Sequence, residues 1–164
     1  MTEPRRIADQ IRRSVHGPAW SGPALLEALE GVSAKDAAAR PIADWKSIWE
    51  LTLHAIVWQD AVRAHLAGRW PKIPLGGPRD WPPQPARPTA AAWVAALAKL
   101  KRSNRALEQA AAKYPAAKLD RPLKEGATSA YVQLHGAVQH NLWHGGQIVA
   151  LKRALGLPAV KPKA

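Results

Sequence analysis

Two histidines four residues apart, His140 and His144, are the side chains of this 164-residue chain best spaced to do chemistry together. On a helix that spacing puts both imidazoles on one face, one turn apart, within reach of a single metal ion. Zinc-protease helices carry a Glu directly after the first such His as general base. Here that position is Asn141, so a protease would lack its base. Two imidazoles are half a site. His54 lies midway along another apolar-faced helical stretch and offers a third nitrogen, although taken singly it also fits a core histidine satisfied by a hydrogen bond. Three histidines leave a position open for water or substrate, the arrangement of catalytic rather than structural sites. The other three histidines fit less well. His135 is about 140° round the helix from His140, His65 lies about three turns beyond His54, and His16 ends its helix.

Two polar residues flank the three. Glu50 precedes His54 by one turn on the same face, as a candidate base or hydrogen-bond acceptor for an imidazole, or as a helix-pairing carboxylate. Gln147 follows His144 by about one turn and could orient an imidazole or a substrate, or merely pack. Trp58 and Trp143 are expected in the core, with the wall of a pocket as their other use. Three nitrogens suit Zn, Ni, Fe or Cu, and zinc or nickel is the expected cofactor.

Helices must position these groups. Pro4 to His16 carries Ile7, Ile11 and Val15 as an apolar stripe and stops at Gly17-Pro18. Ala24 to Glu30 and Ser33 to about Arg40 read as short helical pieces, the second opened by a Ser33/Asp36 capping box. Asp44 to Gly68 is a long helix holding His54. Thr89 to Lys113 is the next, with Trp93, Leu97, Leu100 and Leu107 as its stripe. Ser129 or Thr128 caps the last, which carries the histidine pair to about Leu155 before Gly156 and Pro158. Between the second and third main helices, Arg69 to Pro88 contains seven prolines and a Gly-Gly pair, so it is neither helix nor sheet strand. Extended at about 3 Å per residue it can span about 60 Å, against about 38 Å for a 25-residue helix. It can therefore run back along the bundle and leave the helices on either side parallel. No alternating strand pattern occurs. The expectation is one all-α domain over residues 1–164, a four-helix bundle with a basic tail from about 157.

Composition narrows the function. The chain has no cysteine, which excludes disulfides, thiolate ligands and a Cys nucleophile. No apolar run approaches a membrane span and the N-terminus has no signal-peptide core, so a cytoplasmic protein is expected. Lys and Arg number 24 against 12 Asp and Glu, a net charge of +12. This excess raises a second reading, a non-catalytic basic module binding an anionic partner such as nucleic acid. The charges are scattered, from Arg5 and Arg6 through Lys101 and Arg102 to Lys161 and Lys163, and no nucleic-acid-binding motif accompanies them.

The stretch from Trp45 to His54, WKSIWELTLH, and the stretch from His140 to Ile148, HNLWHGGQI, resemble the DinB/YfiT-like metalloprotein superfamily, whose last helix carries a His-x-x-x-His-x-Gly-Gln-Ile signature. Val32 to Asp36, leading to Arg40-Pro41, is similar to the segment before that family's first ligand. The resemblance spans nearly the whole chain. It implies an up-down-down-up four-helix bundle, a divalent metal on His54, His140 and His144, and a homodimer. Some relatives activate a low-molecular-weight thiol in transferase or isomerase reactions. The activity implied here is a metal-dependent thiol S-transferase or hydrolase acting on a small electrophile.

Overall fold

The computed structural model describes residues 1–160. Lys161 and Lys163 of the basic tail lie outside the described residues. Four long helices form: α1 (Glu3–His16), α4 (Ile48–Leu66), α5 (Ala90–Ala112) and α6 (Ala130–Ala154). Two short ones, α2 (Leu25–Ala28) and α3 (Ala34–Ala38), follow α1. No strand occurs among the described residues.

Local chemistry accounts for the boundaries. Helix α4 begins at Ile48, not Asp44, because Ser47 caps it. Ser47 Oγ accepts the Glu50 N–H at 3.1 Å, and the Ser47 N–H donates to the Glu50 carboxylate at 2.9 Å. Asp44 sits in the left-handed region with φ 60°, which no helix residue adopts. Helix α3 stops at Ala38 because Ala39 is already extended ahead of Arg40-Pro41. Thr89 caps α5 and Ser129 caps α6.

The apolar stripes pack into two clusters. One gathers Val15, Trp49, Trp93, Leu100 and Ile148; the other gathers Ile7, Ile11, Leu107 and Leu134. Both draw on residues from either side of the Pro-rich segment. Fully burying one such Leu or Ile contributes about 1.5–3 kcal/mol. A buried polar layer separates the clusters along every long helix, made of Ser14, Gln59, Ser103, Asn104 and Asn141. Its bonds cross between helices. Gln59 donates to Asn141 at 3.3 Å, Asn141 to Ser14 at 3.1 Å, and Asn104 to the Ile11 carbonyl at 3.2 Å. Unmade, each of these would cost about 1–3 kcal/mol, so the layer fixes helix register.

Contacts set the helix directions. Trp93 meets Trp49, while Ser103 meets Ile56 and Asp60 further along, so α4 and α5 run the same way. His65 meets Gln133 and His54 meets His140, so α4 and α6 run oppositely. The Pro-rich strap retraces α4 from its end to its start. Trp70 stacks on His65, Asp80 reaches His54, and Gln84 accepts from Ser47 at 2.6 Å. No helix among the described residues is long and apolar enough to cross a membrane.

Candidate metal centre

Helix α4 delivers His54, and α6 delivers His140 and His144. The three ligand-capable nitrogens all lie within 4.8 Å of one another. His140 Nε2 is 3.0 Å from His54 Nε2 and 3.0 Å from His144 Nε2. His54 and His144 are buried, with 5% and 4% of their surface exposed.

The outward nitrogens fix the tautomers. His54 Nδ1–H donates to the Asp80 main-chain carbonyl at 2.7 Å, which can only accept. His144 Nδ1–H donates to Gln147 Oε1 at 2.6 Å. Both rings therefore turn an Nε2 lone pair inward. His140 Nε2 can offer at most one proton to these two acceptors, so a lone pair stays unmatched in a buried place. Further protonation is opposed. Burial, reinforced by the two neighbouring imidazoles, pulls His140 down to about 3. Burial pulls His144 down to about 4 despite its bond to Gln147. Burial also lowers His54, against the raising effect of Asp80. The cluster is a set of neutral nitrogen donors converging on one point. Two imidazoles bound tetrahedrally to zinc at about 2.05 Å stand about 3.3 Å apart, close to the observed spacing. The three histidines could hold a metal ion.

The strap completes the surroundings. Asp80 is 3% exposed, and its carboxylate accepts from Trp58 Nε1 at 2.9 Å and from the Gly76 N–H at 2.8 Å. One carboxylate oxygen also lies 3.1 Å from His54 Nδ1. Trp81 stacks flat on the His54 ring, centroids 3.7 Å apart at 4°. Neither residue was among the expected site residues. The signal available in the sequence was that Asp80 is the one acid in the Pro-rich segment.

The structure sorts the other candidates. Gln147 occupies the position that orients an imidazole. Glu50 is engaged elsewhere: besides the Ser47 N–H, its carboxylate pairs with Arg40 at 2.7 Å. Burial alone would raise it, but the Ser47 N–H and the Arg40 guanidinium outweigh that and hold it below the usual carboxylate range. A carboxylate so held is a poor base. The acid that touches a histidine of the cluster is Asp80. Trp58 edges both His54 and His140, with ring centroids 6.3 Å away in each case. Trp143 departs from expectation. It is 68% exposed, neither core nor wall. Asn141, which stands where a protease would have its base, points into the core and is fully buried. A Cβ on Gly145 would make only ordinary contact with the Pro23 carbonyl oxygen, at 3.6 Å, and one on Gly146 would meet nothing, so neither glycine is required by a close approach.

A family model described as the DinB superfamily matches residues 20–148, which include all three histidines and the strap. No significant match was found among curated proteins or solved structures.

Proposed function

This chain belongs to the DinB superfamily, and on that footing we propose that it is a divalent-metal-dependent enzyme acting on a small electrophilic substrate, as a thiol S-transferase or a hydrolase. The observation that carries the reading is the pair of inward Nε2 lone pairs facing a third imidazole nitrogen in a buried site. His54, His140 and His144 would hold the ion, zinc or nickel. When bound, it supplies Lewis acidity, so that a water or a low-molecular-weight thiol ionises near neutral pH. The chain's own groups do the rest. Asp80 and Gln147 hold the His54 and His144 rings in the tautomer a ligand needs. Trp81 and the strap cover His54 and keep bulk water from that side. Glu50 completes the Ser47 capping box of α4 and anchors Arg40, and does not serve as the base.

Metal analysis of protein purified without chelator or nickel resin tests this reading. About one divalent ion per chain is expected, and His140→Ala should abolish it with only moderate loss of fold. No ion in the wild-type protein would sink the proposal. The same reading includes a cytoplasmic homodimer. Val132 and Trp143, 52% and 68% exposed on α6, support a second copy docking there, and sedimentation of Trp143→Ser should then shift toward monomer.

A second reading has its own support. Arg12, Lys101, Arg102 and Arg105, with His16 and the single acid Glu108, line a net-cationic cleft between α1 and α5, suited to a polyanion. It predicts salt-sensitive retention on heparin, indifferent to EDTA and reduced in Arg102→Ala. Elution at low salt would exclude it.

A further inference from the structure

A second cleft of about 310 Å³ opens beside His140 between α4 and α6, and Trp81 is not part of its lining. Trp58 and Val62 wall it from α4, Gly136 and Ala137 from α6. One end is His140 itself. The other end is His65 with Gln133, where His65 Nδ1–H donates to Gln133 Oε1 at 2.8 Å. Gln133 and His140 are seven residues apart on one helix, so the cleft is about 10 Å long. At roughly 30 Å³ per water its volume equals about ten waters, room for a small organic molecule and not for a peptide or a nucleic-acid strand.

The lining specifies the chemistry of the occupant. It contains no Asp, Glu, Lys or Arg. A charged ligand would lose its hydration here with no opposite charge to replace it. An apolar body gains by covering the Trp58 face, Val62 and Ala137. The far end is polar, with His65, Gln133 and Thr128 in its lining. The bond to Gln133 leaves the His65 Nε2 lone pair as an acceptor and the Gln133 amide N–H groups as donors, the pair that a hydroxyl satisfies. The His65 ring is held for this purpose. Trp70 stacks on it at 4.0 Å and 14°, and Lys124 lies 4.1 Å above Trp70.

We propose that this cleft is the substrate chamber, and that it selects an uncharged, largely apolar, elongated molecule with a hydroxyl or carbonyl about two helical turns from the atom presented to the histidines. His65 and Gln133 are the specificity-determining residues. The proposal rests on the metal-centre reading for the identity of the reactive end alone; the chamber and its preference stand on the walls.

Gly136 supplies the decisive variant. A Cβ there meets nothing, so a larger side chain starts in open space in the chamber wall, one turn from His140. Calorimetric titration with 4-phenylphenol, 1-naphthol and biphenyl-4-carboxylate, on protein with and without zinc, reads the outcome. The two neutral probes should bind the wild type, with the carboxylate at least tenfold weaker. Gly136→Leu should weaken the neutral probes at least tenfold, and His65→Leu several-fold, with zinc content unchanged in both. Failure of both neutral probes to bind, equal binding of the carboxylate, or indifference to Gly136→Leu would overturn the chamber. Probe binding to a protein that takes up no zinc would leave the chamber standing and remove the metal centre. Zinc uptake without probe binding would do the reverse.

Discussion

Asp80 is the residue through which the strap should govern the metal site, and its replacement gives the sharpest measurement. Its carboxylate accepts from Trp58 Nε1 and the Gly76 N–H, and its carbonyl from His54 Nδ1. Asp80→Ala removes the carboxylate and strands two donors. A buried unsatisfied donor costs about 1–3 kcal/mol, and both donors here are only partly buried, so the low end applies and the total is about 2 kcal/mol. For a chain of this size that lowers the melting temperature by about 4–8 °C. The main-chain carbonyl survives the substitution, but its position depends on the carboxylate that clips the strap down. Loss of the group orienting a metal-binding imidazole typically weakens affinity about 10–100-fold. Asp80→Asn keeps one acceptor and the shape, and should fall near the tenfold end. The assay is zinc competition against a chromophoric chelator, with melting curves of the metal-free proteins run in parallel. If Asp80→Ala melts early yet binds zinc within twofold of wild type, Asp80 only fastens the strap, and the argument that it positions His54 is wrong.

Three further outcomes follow from the same geometry. In chelated protein, His140 and His144 stay neutral down to about 3 and about 4, while in the unfolded chain they titrate near 6.5. Between those values the unfolded chain binds protons that the fold refuses, so stability falls as pH drops from about 6.5 toward 4; His54 is lowered too and adds in the same direction. Melting of metal-free protein at pH 7 and pH 5 checks this, and an equal or higher midpoint at pH 5 contradicts it. Ser47→Ala removes the α4 cap and the donor to Gln84 and should cost about 1–2 kcal/mol by denaturant titration, with zinc affinity little changed. Gly146→Ala should stabilise the protein by up to about 1 kcal/mol, since the new methyl meets nothing and a helix favours Ala over Gly.

Much of this protein is determined by rules that act within a few residues. The stripe of Ile7, Ile11 and Val15, the Ser33 and Thr89 caps, and the breaks at Gly17-Pro18 and Gly156 specify where helices run, because helix formation depends on 3.6-residue periodicity and on terminal hydrogen bonds. The same periodicity places His140 with His144 and sets His54 at a depth to meet them. It does not assign the acids. Glu50 shares a helix face with His54, yet its carboxylate is drawn to its own helix start and to Arg40, because the N–H groups there are the nearest unsatisfied donors. Asp80 reaches His54 across a separation of 26 residues, from a strap with no periodicity of its own. Its placement follows from the strap's path along α4, which depends on packing of Trp70, Trp81 and Gln84 against sites far away in the chain. The tautomers likewise follow from those distant partners. The sequence by itself therefore determined which imidazoles meet. Only the tertiary structure decided what holds them, which lone pairs face inward and which cleft opens beside them, because those depend on contacts that no local pattern encodes.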